Sequence, residues 1–230
     1  NNSAWATRIA YTDKEKQLEP YTNCTALGNG WVWNIPLWSR IGTGYVYSDK
    51  YISDEDALKE FKKHLGRDDL EFRNIKMRVG IHKRLFVKNV VAIGLSAGFI
   101  EPLESNGLFS VHEFLKELIR NLNRDIITQW DRDNFNFSCK TIFKNFSEFV
   151  ALHYSLSNRN DTKYWQDINN KEYKNGSFEI AINRRNFDFT HFDGVGVNGG
   201  LHAIATGMHW SPTELNNILW TNEGYTKKDY

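Results

Sequence analysis

The chain has 230 residues, of which 40% are apolar and 14% aromatic, enough for one large or two small globular domains with a well-filled core. Its net charge of +1, with Lys and Arg dispersed, excludes a composition-level case for nucleic acid or an acidic membrane surface, and no apolar run approaches the ~20 residues of a membrane span. Two cysteines, Cys24 and Cys139, form neither a disulfide framework nor a CxxC metal pattern, and their scarcity suits a reducing, cytoplasmic setting.

In chain order, Ala4 to Tyr11 and Thr22 to Leu27 read as strands, joined by a polar connection from Asp13 to Glu19. After the turn Gly28-Asn29-Gly30, Trp31 to Arg40 reads as the next strand, with Pro36 as a break or edge position. Ile41-Gly42-Thr43-Gly44 reads as a hairpin turn and Tyr45 to Ser48 as the return strand. Ser53 with Asp56 three residues later opens a helix whose apolar face is Ala57, Leu58, Phe61 and Leu65, and Gly66 suits its left-handed end. Phe72 to Val79 and Leu85 to Ile93 read as further strands, the second ending in a short buried run, Val90 to Ile93. Glycines 94 and 98 bracket a small-residue turn, and Glu104, Ser105 and Asn106 sit where the next helix starts, with Leu108, Val111, Leu115 and Leu118 as its apolar stripe. Beyond Asn123 the pattern is again helical, through Ile126, Ile127, Trp130, Phe143, Phe146, Phe149, Val150 and His153. Thr190 to Gly207 is a Gly-rich segment that reads as an ordered loop, and Ser211-Pro212-Thr213-Glu214 opens a last helix.

Three constellations bear on chemistry. A strand, a Gly-containing turn and a helix N-terminus make an anion-friendly pocket, because the first amides of the helix lack partners within it; an ordinary capped connection has the same spacing. Trp31 and Trp33 share parity on a strand and face one side, as a wall beside a flat ring or as two core residues, and Trp38 and Tyr45 could thicken that wall. Glu104 is either a solvated carboxylate favoured by the helix dipole or a group facing a substrate. The seven histidines form no HxH or HExxH spacing, and His202 and His209 read as structural. Gly194-Val195-Gly196-Val197-Asn198-Gly199 matches GxGxxG formally but lacks the strand–turn–helix context of a dinucleotide site.

The stretch Gly94-Leu95-Ser96-Ala97-Gly98-Phe99-Ile100-Glu101-Pro102-Leu103-Glu104-Ser105 closely resembles the flavin-contacting segment of the flavin-dependent tryptophan halogenases. Gly30-Trp31-Val32-Trp33-Asn34-Ile35-Pro36 matches that family's WxWxIP signature, in the family's order, and the likeness runs from Asn1 to about Ser155. The resemblance implies an α/β fold: an antiparallel substrate-domain sheet over residues 1–84, a strand-turn-helix of an FAD-binding domain over 85–123, and a helical C-terminal region over 124–230. It implies FAD, used as FADH2, contacted by Gly94, Leu95, Ser96, Ala97, Gly98, Trp31, Trp33, Ile35 and Pro36. It implies a halide (chloride, bromide or iodide) held at Asn106 and Gly107, O2 as co-substrate, and catalytic roles for Glu104 and for the Ser105 carbonyl, acting on an aromatic, indole-like substrate. A separate flavin reductase is the implied partner, an assembly of identical chains is compatible with it, and no metal is expected.

The chain departs from the family in several ways. Asn106 stands where Thr is common, which bears on halide preference, and the Tyr-Tyr clamp of enzymes acting on free tryptophan has no match after Asn175, so another substrate is expected. The family's GxGxxG and its catalytic lysine, which carries the hypohalous acid, lie upstream of WxWxIP and have no counterpart in this chain. With Asn1 not an initiator residue, the chain reads as part of a longer protein and is expected to be inactive by itself. The rival readings are a flavin monooxygenase that does not halogenate and a non-catalytic module that keeps the fold.

Overall fold

The computed structural model describes residues 1–169, 204 and 207–209. A five-stranded antiparallel sheet, in the order β2-β3-β4-β1-β5, is built from β1 (Ser3–Ile9), β2 (Asn23–Leu27), β3 (Gly30–Pro36), β4 (Ile41–Tyr47) and β5 (Arg73–Lys76). A single turn of helix, α1 (Lys14–Gln17), lies in the polar β1–β2 connection, with Asp13 as its cap. The β3–β4 turn sits earlier than expected. The Leu37 amide donates to the Arg40 carbonyl at 2.8 Å, and Ile41 to Gly44 are already strand, paired with Pro36 to Trp33. The expected turn glycines serve close packing instead. A Cβ on Gly44 would lie 2.2 Å from the Trp33 ring and 2.6 Å from the Trp5 carbonyl oxygen.

The two faces of the sheet are covered by different helices. Val32, Tyr45 and Tyr47 face α2 (Asp54–Leu65) and pack on Ala57 and Phe61. Ser53 caps α2 by accepting from the Asp56 amide, and Gly66 ends it at φ 63°. The Tyr45 hydroxyl donates to Glu60 at 2.7 Å, and the same carboxylate accepts from the Gly28 amide at 2.8 Å. Burial, followed by the Glu60 hydrogen bond, raises the Tyr45 hydroxyl far above the ordinary tyrosine range. Tyr45 therefore lies on the opposite face from Trp31 and Trp33 and does not thicken their wall. Nor does Trp38, which stands on the β3–β4 turn, 79% exposed, under the Lys14 ammonium. The other face, with Ala4, Trp31 and Val46, packs against Phe146, Phe149 and Val150 of α4 (Gln129–Ser155) and Tyr164 and Trp165 of α5 (Lys163–Asn169).

Between the sheet and α4 the chain is less regular than its apolar pattern predicts. Leu85 to Ile93 is a tight hairpin of β7 (Phe86–Val87) and β8 (Val90–Val91), not one strand, and Val90 is exposed. An apolar run of that length carries no signal that separates one strand from a hairpin, and the turn is made by Lys88 at φ 55°. Asn136 of α4 anchors this hairpin, its Oδ1 accepting from the amides of Leu85 and Phe86 at 2.6 and 2.9 Å. A short β6 (Gly80–Ile81) pairs with β9 (Gly98–Phe99), just after a 3₁₀ turn at Gly94–Ser96. Then α3 (Asn106–Leu122) packs on α4 through Phe114, in a cluster with Leu85, Phe86, Ala97, Phe135 and Cys139. Burial pushes the Cys139 thiol up to about 12, so it behaves as a core residue.

The expected stripe on α3 is only partly inside. Val111 and Leu118 are half-buried, but Leu108, Leu115 and Ile119 are exposed, as are Ile126 and Trp130 beyond it. Apolar spacing identified the helix but did not show which part of its stripe this chain covers. Most of the Gly-rich segment and the expected last helix lie outside the described residues.

The strand pairing makes a direct prediction. Gly44→Ala places a methyl group where the Trp33 ring and a backbone carbonyl already stand, so stability should fall by about 1–3 kcal/mol. Urea denaturation followed by tryptophan fluorescence measures this, and an unchanged midpoint would mean that Trp33 has room to move.

Candidate functional site

The two motif segments are brought together at one cavity of about 610 Å³. Strand β3 contributes Trp31, Trp33 and Ile35, Thr22 just before β2 and Cys24 within it line the edge, the turn before α3 contributes Glu101 to Ser105, and α3 contributes Gly107 and Leu108. Trp31 and Trp33 do face one side, with ring centroids 6.2 Å apart and planes at 60°. A second cavity of about 290 Å³ is lined by Gly94, Leu95, Gly98, Asn106 and Gly107 with apolar neighbours, and it shares Phe99, Gly107 and Leu108 with the first. The two therefore meet at the start of α3.

The turn entering α3 carries unusual backbone. Glu104 (φ 69°, ψ 6°) and Ser105 (φ 51°, ψ 32°) are consecutive non-glycine residues in the left-handed region, each at a cost of roughly 1–2 kcal/mol. Asn106 returns to the right-handed region, and a left-to-right change of hand turns successive amides toward one concavity, at the positive end of a 17-residue helix. The Ser105 amide is used within the turn, donating to the Pro102 carbonyl at 2.9 Å. No side chain caps the helix. Asn106 is buried and turns its amide nitrogen back onto the Leu103 carbonyl at 3.3 Å.

Glu104 is not a simply solvated carboxylate. Its Oε1 lies 2.8 Å from Nε2 of His153, on α4, and the hydrogen bond to His153 holds the Glu104 carboxyl below the usual glutamate range. Cys24, across the cavity, has its thiol raised by burial and then by the Glu104 charge, so it faces the carboxylate as a neutral group. Glu101 sits deeper, 5% exposed, accepting from the Tyr154 hydroxyl and from the Asn1 side-chain amide. Burial first, and then the Glu101 charge, raises the Tyr154 hydroxyl well above its ordinary value. The buried Trp31 indole also meets the Tyr154 hydroxyl and opposes that rise.

The small-residue turn is built for its own packing. Ser96 spends its hydroxyl locally, donating to the Ile93 carbonyl at 2.7 Å and accepting from the Ile93 amide at 3.1 Å. Ala97 is fully buried in the α3–α4 cluster. Neither Ser96, Ala97 nor Pro36 lines either cavity. A Cβ on Gly98 would fall 2.5 Å from the Gly80 carbonyl oxygen, so the absent side chain there serves the β6–β9 pairing. At Gly107 a Cβ would meet nothing within 4 Å, leaving open space where the cavities join. Reading the sequence put His153 on a packed helix face and Glu101 in the flavin-contacting stretch but gave neither a role in the site. A polar residue in phase with Phe146, Phe149 and Val150 on an otherwise apolar helix face was the available signal for His153. Among the described residues no group of three or more potential metal ligands occurs, and no helix is long and apolar enough to cross a membrane.

The tryptophan halogenase family model matches residues 1–216. The tryptophan 6-halogenase SttH of Streptomyces toxytricini is 39% identical over 169 residues, 73% of this chain and 32% of that protein. The tryptophan 6-halogenase ThaL of Streptomyces albogriseolus is 33% identical over 227 residues, 97% of this chain and 41% of its own length. The solved structure of BrvH, a flavin-dependent halogenase from Brevundimonas sp. BAL3, superposes with a TM-score of 0.84 at 30% identity, over 96% of this chain and 45% of that one. The chain thus spans between a third and a half of the length of these relatives.

The contrast between the glycines is testable without any ligand. Gly98→Val should lower the stability of the chain by about 1–3 kcal/mol, because the new side chain meets backbone. Gly107→Ala, inside α3 with open space beside it, should melt at or slightly above the wild-type temperature. Equal melting temperatures for Gly98→Val and wild type would refute the packing role given to Gly98.

Proposed function

Because the chain belongs to the tryptophan halogenase family, we propose that it supplies the substrate-facing and flavin-ring-facing part of an FADH2-dependent halogenase acting on an electron-rich, indole-like aromatic. The observation that carries this reading is the single cavity bounded by Trp31, Trp33 and Ile35 on one side and by Glu104 and Ser105 on the other.

The residues present fit a flavin ring. Leu95 and Leu108 are 82% and 85% exposed beside the open space at Gly107, and a planar apolar group set there would remove that surface from water. Gly94, Leu95, Gly98 and Gly107 would hold the ring on the α3 side, with Trp31, Trp33 and Ile35 toward the substrate. When bound, reduced flavin with O2 supplies the oxidising equivalents that make a halide electrophilic, and a separate reductase would renew it.

The chain's own residues then have defined tasks. The converging amides around Asn106 and Gly107, at the positive end of α3, attract a halide anion. Trp31 and Trp33 screen the substrate from the cofactor and keep water out. Attack of an aromatic ring on an electrophilic halogen leaves a cationic ring, and Glu104, ionised at neutral pH, stabilises that charge and accepts the ring proton. The Ser105 carbonyl orients the substrate's polar edge. The segment from Asn1 to Ser155 contains neither a GxGxxG nor a lysine in the family's context, so this chain alone should show no turnover, and the full-length enzyme is the material for assays.

Given FAD, a flavin reductase, O2 and halide, the full-length enzyme should add halogen mass to an indole substrate. An oxygenated product independent of halide would favour a monooxygenase instead. Glu104→Gln should cut turnover about 10²–10⁴-fold with flavin retention intact. A normal rate in that variant removes Glu104 from the mechanism.

Halide choice follows from Asn106. One of the two N–H groups of its side-chain amide is spent on the Leu103 carbonyl, which draws that side chain back into the turn. Larger halides lose their water more readily, and an uncrowded site then favours them. With equal chloride and bromide, the brominated product should dominate by mass, whereas a mainly chlorinated product would contradict the open-site reading.

A further inference from the structure

We propose that His153 is the positioning residue for Glu104, holding one carboxylate oxygen through a shared proton so that the other faces the cavity. This inference rests on the halogenase reading for its catalytic consequence, while the pair itself stands on geometry.

The proton count follows from the two ring nitrogens. Nδ1 of His153 lies 2.9 Å from the Phe149 carbonyl oxygen, which can only accept, so Nδ1 carries a hydrogen. Nε2 lies 2.8 Å from Oε1 of Glu104, and a carboxylate facing a bare imidazole nitrogen would set lone pair against lone pair. One proton must therefore lie between them, and the pair is an imidazolium with a carboxylate or their neutral equivalent. The ring has little freedom to leave. It stands edge-on to Phe149 at 5.3 Å, and its side chain is 18% exposed.

The backbone supplies an independent reason for such an anchor. Glu104 is held at φ 69° and Ser105 at φ 51°, where a side chain without a partner gains by relaxing. The only side-chain hydrogen bond of Glu104 among the described residues reaches 49 positions along the chain to His153. Oε2 makes none among them, and Glu104 lines the cavity. Among the described residues, the titratable groups recorded against the carboxylate are His153 from α4 and the neutral Cys24 from β2.

The sign of the pH effect is set by the carboxylate. A group whose acid form is disfavoured by its partner keeps the interaction above its ordinary pKa and loses it as pH falls through its lowered one. The Glu104 carboxyl is lowered, first by the hydrogen bond from His153. Removing the imidazole should move the acid limb of turnover upward, toward the ordinary glutamate range.

Two variants and two readouts test this. In the 230-residue chain, the side-chain carboxyl ¹³C signal of Glu104, assigned through Glu104→Gln, should titrate below the ordinary glutamate range. In His153→Ala the midpoint should rise, and in His153→Gln, which keeps the hydrogen bond but not the charge, it should rise less. In the full-length enzyme, His153→Ala should lower kcat about 10-fold or more with KM for the aromatic substrate nearly unchanged, as expected of a displaced catalytic group. His153→Gln, which keeps a donor but carries no charge, should recover much of that kcat, with an acid limb between those of wild type and His153→Ala. Unmoved carboxyl midpoints in both variants overturn the pair. A moved midpoint with wild-type kcat in His153→Ala overturns the positioning role. Should the wild-type enzyme give no halide-dependent product, the carboxyl titration still decides the pair, and only the halogenase reading fails.

Discussion

The absence of a side chain at position 44 decides where the tryptophan wall can stand. Gly44 pairs with Trp33 across β3 and β4, and the Trp33 ring occupies the space that any Cβ there would need. Gly30 imposes the same kind of closeness at the other end of β3, where a Cβ would fall 1.9 Å from the Val46 carbonyl oxygen. Residues of one parity then point to α2 and those of the other to α4. Trp31 and Trp33 share the second parity, so the wall is backed by the long helix that also carries His153. Were β3 shifted by one residue, Val32 would face the cavity and the tryptophans would be buried under α2.

Parts of this arrangement were legible in the sequence wherever the signal was local. Ser53 with Asp56 and Gly66 marked both ends of α2, because a cap and a left-handed exit need particular residues at particular places. The parity of Trp31 and Trp33 followed from the strand period alone. The β3–β4 turn was misplaced because glycine marks both turns and close approach, and at Gly42 and Gly44 the glycines lie within paired strand. The partner of Glu104 was not legible, since it lies 49 residues away and nothing local in either segment requires the other. The assignment of Ser96 and Ala97 to a cofactor surface came from resemblance. Their hydrogen bonding and burial describe residues that shape the turn from within.

The cavity combines two kinds of surface that rarely coexist without a reason. Leu95 and Leu108 are nearly fully exposed, while a few residues away Glu101 is buried and fully engaged with Tyr154 and Asn1. A buried carboxylate is tolerated only when its oxygens find donors, and the hydroxyl of Tyr154 and the amide of Asn1 meet that need. The satisfied polar network and the exposed apolar surface therefore lie side by side around the two joined cavities.

The left-handed turn at Glu104 and Ser105 has a consequence for any effort to harden this protein against heat. Replacing either residue with glycine would relieve the backbone and, by that term alone, favour the folded state. The same change would leave α3 entered by a more pliable hinge, and the amides of its first residues would no longer be aimed at one point. Robustness and aim pull in opposite directions at these two positions, so a thermostable descendant should find its gains elsewhere, on the exposed stripe of α3 or in the loops around the sheet.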